Sequence, residues 1–142
     1  MAQILGLDNG KRILIDSASL VGANVLLSNV PCATAVYVGA AVRMDGTGTA
    51  QNAIATSAAN SNIIGIVESK SSSTVCSIRV LGVSEGLFTG LDVTKEYYLS
   101  DTVAGDITTT VPTASGSIIL KVGQPYSATD FLVLKGTRTV RA

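Results

Sequence analysis

Between Glu96 and Val133 the chain breaks into short β-favouring runs separated by turn clusters, and this rhythm limits what it can build. The runs are Tyr97-Tyr98-Leu99, Ile107 to Val111, Ser117 to Val122 and Asp130 to Leu134. The punctuation is Ser100-Asp101, Ala104-Gly105-Asp106, Pro112 to Gly116 and Gln124 to Thr129. Strands about eight to twelve residues apart, with turns between them, predict a sandwich or barrel. Residue usage agrees: 16 Val, 11 Ile, 15 Thr and 15 Ser stand in 142 residues. Branching at Cβ stiffens χ1 and suits a pleated surface better than a helix. No long stretch carries a 3.6-residue period, so little helix is expected.

The same alternation runs back to Thr34. Ala35 to Met44 reads as a strand pair or one bent strand cornered at Gly39. Asp45-Gly46-Thr47-Gly48 reads as a primed hairpin turn, with Thr49 to Thr56 returning. Ile63 to Ser69 and Ser73 to Leu81 read as a second hairpin around Lys70 to Ser72. Gly82, Gly86 and Gly90 read as strand ends and turns, because Ser, Glu, Phe and Thr lie between them. Gly86-Leu87-Phe88 and Tyr97 to Leu99 then flank the Gly90 to Lys95 turn. The Tyr97-Tyr98 rings point to opposite faces of a strand, one into the core and the other to a contact or a cross-strand partner.

Residues 1–30 lack this rhythm. Lys11 to Ile15 is a plausible strand, and Asp16 to Leu27 can be strand, helical turn or arm. Asn29 and Pro31 mark a turn, with Val30 held extended by the following proline. The expected fold is all-β: one sandwich or small barrel over about residues 34–134, with an extended N-terminal arm. In domain terms, residues 1–30 form an attachment segment, and residues 31–142 form the β domain with a short basic tail.

Composition excludes several functions. Only 14% of residues are charged, against about 25% in ordinary domains, and mean hydropathy is +0.44. No apolar run reaches the ~18 residues of a membrane span, and Met1 to Leu7 lacks the pattern of a signal peptide. The apolar surplus points to burial against other chains, with an ordinary Ala- and Val-rich domain as the alternative. Net charge is zero and the ten basic residues are scattered. Lys11-Arg12 and the tail Lys135, Arg138 and Arg141 come nearest to clusters. Nucleic acid is not an expected partner, although the tail suits an acidic surface.

Nothing selects a reacting group. The chain has no histidine, so neither cysteine has a histidine base and Cys32 and Cys76 complete no metal spacing. Small buried hydrophobes are the expected role for both, with a disulfide between them left open. Almost all of the ten carboxylates sit in or beside turn signals, where Asp caps backbone amides. Asp101, Thr102 and Asp106 offer oxygen ligands without the spacing of an EF-hand. Gly46-x-Gly48 lacks the third glycine and the helix of a phosphate loop. No catalytic residue, cofactor or metal is expected. Four tyrosines, two phenylalanines and no tryptophan argue against a sugar-stacking groove.

In chain order stand Val38-Gly39, Ile64-Gly65-Ile66-Val67, Gly90-Leu91, Tyr97-Tyr98-Leu99-Ser100, Thr108-Thr109-Thr110, Pro112-Thr113-Ala114-Ser115-Gly116, Val122-Gly123 and Ser127 to Val133. This order of motifs resembles a β-rich module of tailed-bacteriophage structural proteins, found in tail fibres and in capsid decoration proteins. It covers about residues 34–134. The resemblance implies a non-enzymatic virion protein made in the bacterial cytoplasm, foremost a decoration or cement protein. That protein would bind the major capsid lattice through its N-terminal arm and associate as a homotrimer. A tail-fibre or head-fibre adaptor is the alternative. Arms of this kind pair with open sheet edges, which makes Lys11, Arg12, Ile13, Leu14, Ile15, Leu20, Val21, Leu26 and Leu27 the candidate contact residues.

Overall fold

A computed structural model describes residues 6–8, 11–13 and 24–142. Every regular element among them is a strand, and the largest sheet curls into a half-barrel. The strands are β1 (Gly6–Asp8), β2 (Lys11–Ile13), β3 (Val25–Pro31), β4 (Ala41–Met44), β5 (Ala50–Asn52), β6 (Ile63–Ser72), β7 (Val75–Ser84), β8 (Tyr97–Leu99), β9 (Ile107–Thr108), β10 (Ile118–Ile119), β11 (Lys121–Pro125), β12 (Phe131–Val133) and β13 (Thr139–Val140). The main sheet runs β5-β4-β6-β7-β12-β11-β8-β9, with β3 also on β7. The pairs β1-β2 and β10-β13 stand as separate two-stranded sheets. The proposed arm falls mostly on residues outside those described.

Two apolar clusters hold this sheet. One gathers Ile63, Ile66, Leu99, Leu120, Val122, Phe131 and Val133. The other gathers Val42, Val67, Cys76 and Ile78 under Cys32, Val36 and Ala40. A bulge in β6 lets one strand serve both. Val42 pairs with Gly65 but Arg43 pairs with Ile63, so Ile64 is the extra residue. Ile63 and Ile66 therefore share one cluster, although strict alternation would send them to opposite faces. Buried on both sides, this strand reads as a continuous apolar run.

The ends of the curled sheet meet through irregular chain. Ala55 N donates to Ser100 O (2.8 Å), Gly105 N to Ala53 O (2.6 Å) and Ala41 N to Gly105 O (2.8 Å). The chain leaving β5 thereby satisfies the segment between β8 and β9, at the other end of the strand order. Irregular chain laid along the edge strands covers part of the unpaired edges that invite other strands.

Several local expectations are corrected. Residues 35–40 are turns, not strand; Gly39 takes φ +92° and donates to Val67 O (2.8 Å), laying this loop over the second cluster. The hairpin after β4 is not a primed turn. Asp45 N donates to Thr49 O (2.9 Å) and the left-handed residue is Gly48, at φ +81°. That is the three-residue loop with a glycine bulge. The return strand covers only Ala50–Asn52, and the β6–β7 turn falls at Ser73-Thr74 rather than Lys70 to Ser72. Gly86-Leu87-Phe88 is irregular. Asn29 is not a turn between elements: it is a bulge inside β3, at φ +56°, where three steps from Leu27 to Val30 match two on β7.

Candidate partner-binding surface

The candidate contact residues divide three ways. Lys11, Arg12 and Ile13 form β2, paired with Asp8, Leu7 and Gly6. Leu14, Ile15, Leu20 and Val21 lie outside the described residues. Leu26 and Leu27 lie on β3, opposite Arg79 and Ile78 of β7. They are 43% and 37% exposed, and Val25 beside them is 39% exposed. Residues 25–30 are thus joined to the β domain by strand pairing, while three consecutive large apolar side chains of the same strand face water. Among the described residues β3 pairs with β7 alone.

Beside the start of β3 opens a cleft of about 580 Å³ lined by Asn24, Glu68, Arg79, Val83, Glu85, Tyr126 and Asp130. Gly82 makes room for Asn24, one of these lining residues. It sits at φ +104°, and a Cβ there would come within 2.0 Å of Asn24 Oδ1. With only hydrogen in that place, Asn24 Oδ1 accepts from Val83 N at 3.0 Å. Arg79 lies across from Ile66 and Leu26. Its Nη2 meets both oxygens of Glu68, at 2.8 and 3.1 Å, a charge-assisted contact on a half-buried pair. Asp130 Oδ1 accepts from Gly86 N (2.7 Å) and Thr129 Oγ1 (3.1 Å). The Gly86 amide leads in holding its carboxyl below the usual range. Tyr126, at the end of the β11–β12 hairpin, is 75% exposed.

The other polar groups serve the fold. Asp45 accepts from Thr47 Oγ1, Gln51 Nε2 and the amides of Thr49 and Thr47, which holds its carboxyl far down. Asp92 accepts from Thr94 Oγ1 and N. Asp101 accepts from Ser117 Oγ (2.8 Å) and Asp106 from Ile107 N (3.0 Å). Among the described residues no three Cys, Asp or Glu side chains converge on a point that could hold a metal ion. Cys32 and Cys76 are buried free thiols. Burial and then the Cys32 thiol push Cys76 up to about 11. Of the tyrosine pair, Tyr97 is the core ring, its Oη accepting from Asp92 N (3.0 Å). Tyr98 turns outward and donates to Glu96 Oε2 (3.2 Å).

The sequence reading missed the cleft. Its lining comes from positions 24, 68, 79, 83, 85, 126 and 130, each unremarkable among its neighbours, and only strand register brings them together. The exposed Tyr126 after Pro125 was the available local signal. No family model, curated protein or solved structure matches the chain.

Proposed function

We propose that this chain is a non-enzymatic structural protein of a tailed-bacteriophage particle, a capsid decoration or cement protein that associates with copies of itself and with the major capsid lattice. The observation that carries the assembly reading is β3: Val25, Leu26 and Leu27 stand exposed on a strand that, among the described residues, pairs with β7 alone. Burying half-exposed Val and Leu side chains contributes about 1 kcal/mol each. Strand addition along β3 supplies further backbone bonds with little demand on partner sequence. The carboxylates committed to capping and the absence of histidine accord with a surface role. The motif order of residues 34–134 supplies the phage assignment.

Imaging particles that carry a C-terminal label on this chain tests the assignment. Label spread over the head is expected. Label confined to the tail would replace the decoration reading with the adaptor alternative, and particles without label would end both. In the same experiment Leu26→Asp with Leu27→Asp should leave far-UV circular dichroism unchanged and abolish attachment.

A further inference from the structure

The chain is neutral overall, with ten basic and ten acidic residues, yet its charge is unevenly spread. The cleft beside β3 holds Glu68, Glu85 and Asp130 against a single cation, Arg79. Arg79 is already engaged by Glu68, and Glu85 joins no ion pair among the described residues. The tail carries the opposite sign. Lys135, Arg138 and Arg141 fall within seven residues, and none has a carboxylate partner among the described residues. Instead Lys135 Nζ donates to Asn62 Oδ1 and Ile63 O (both 3.0 Å), and Arg138 Nη1 to Ala58 O (2.7 Å).

Apolar surface follows the same division. Tyr126 stands exposed at the cleft, with Val83 in its lining. Val140 stands 65% exposed between Arg138 and Arg141. Each patch thus offers one large apolar group framed by charge, acidic in one and basic in the other.

The tail is anchored where it lies. β13 pairs with β10, Arg141 N donates to Ser117 O (2.7 Å) and Gly116 N to Arg141 O (2.8 Å). None of the residues that hold it lines the cleft.

We infer that the cleft beside β3 receives the basic β13 tail of a second copy of this chain. Arg138 and Arg141 meet Glu85 and Asp130, and Val140 packs on Tyr126. Two different patches make this a head-to-tail contact, which closes into a ring when the rotation permits and otherwise extends. The inference rests on the proposed function only in having copies meet. A monomer in solution would end it and leave attachment through β3 untouched.

The test is sedimentation velocity on the full chain, run at low and at high salt. Wild type is expected to self-associate, more weakly at high salt as a charge-steered contact must. Arg138→Glu with Arg141→Glu should weaken association at least tenfold, and Glu85→Lys should weaken it severalfold. Glu85 is exposed and makes no side-chain bond among the described residues; circular dichroism checks the folding of each variant. Mixing Glu85→Lys chains with Arg138→Glu chains should restore association beyond that of either alone. A monomeric wild type, charge reversals that leave association unchanged, or a mixture no stronger than its components would each overturn the inference.

Discussion

Replacing Phe131 tests whether the first cluster is held by ring geometry as well as by apolar area. Phe131 is fully buried on β12. Its ring meets Phe88 at 5.6 Å and 64°, and Tyr97 at 5.8 Å and 88°. Both are edge-to-face, the arrangement in which the positive rim of one ring meets the negative face of another. The ring also covers Gly123, where a Cβ would lie 2.8 Å from Phe131 Cε2 and 2.0 Å from Leu132 O. Phe131→Leu keeps most of the apolar volume and removes both ring pairs. Each pair contributes about 0.5–1.5 kcal/mol beyond area burial, so the expected loss is about 1–3 kcal/mol. Phe131→Ala adds the cavity and should cost about 3–5 kcal/mol. For a chain of this size 1 kcal/mol moves Tm by about 3–5 °C. Urea unfolding followed by far-UV circular dichroism gives the free energies, and calorimetry gives Tm. The decisive measurement is the cycle with Phe88→Leu, where a coupling of about 0.5–1.5 kcal/mol is expected. Strictly additive losses, or a Phe131→Ala loss under about 1 kcal/mol, would refute the reasoning.

Gly82→Ala should cost about 1–3 kcal/mol, the range for a side chain forced into left-handed backbone, and should also displace Asn24 from Val83 N. Asn24→Ala in the same chain should recover only the steric part, and full recovery in urea unfolding would mean that φ +104° carries no strain. Cys76 gives a pH limb: the buried thiol stays protonated to about 11 while the unfolded thiol ionises near the ordinary 9. Its contribution is therefore complete below pH 9 and is lost between pH 9 and 11, on the order of 2 kcal/mol. Cys76→Ala should flatten that limb, and an unchanged slope of stability against pH would exclude Cys76 as its source.

The strand rhythm was legible because it is written locally. Tyr97 to Leu99 and the Ile63 hairpin show turn residues flanking strand-forming runs. β6 and β7 pair as that hairpin with its turn moved to Ser73-Thr74, whereas Tyr97 to Leu99 is a strand that pairs with β11 and β9 rather than with Gly86 to Phe88. Asn29 and Gly39 show where local reading stops. Asn tolerates positive φ, and a turn or a bulge uses that tolerance equally well. Only the position of β7 decides that Asn29 bulges inside β3. Likewise Ile64 carries no mark that it is the extra residue in β6; the register against β4 settles it. Sheet order depends on contacts across the whole chain, and the cleft depends on that order. Leu26 and Leu27 stood out as apolar residues ahead of the rhythmic region, whereas Arg79 and Glu68 looked like ordinary polar positions of two alternating strands.

Net charge was the least informative part of the composition, because the carboxylates and the cations are used differently. Asp45, Asp92 and Asp130 are occupied by backbone amides and hydroxyls of their own loops, and Asp101 by Ser117. All four are fixed in place, and the bonds to Asp45, Asp92 and Asp130 hold those three carboxyls below the usual carboxylate range. Lys135 and Arg138 instead donate to neutral carbonyl and amide oxygens, and neither joins an ion pair among the described residues. Burial first, and then Arg138, lowers the Lys135 ammonium from its ordinary value, as expected of neighbouring cations without an anion between them. A neutral total therefore conceals a tail whose cations join no ion pair among the described residues, and an acidic cleft with one engaged cation. Added salt weakens attraction between such patches and relieves repulsion within each of them, so it should loosen contacts between copies while leaving the fold of each copy no less stable.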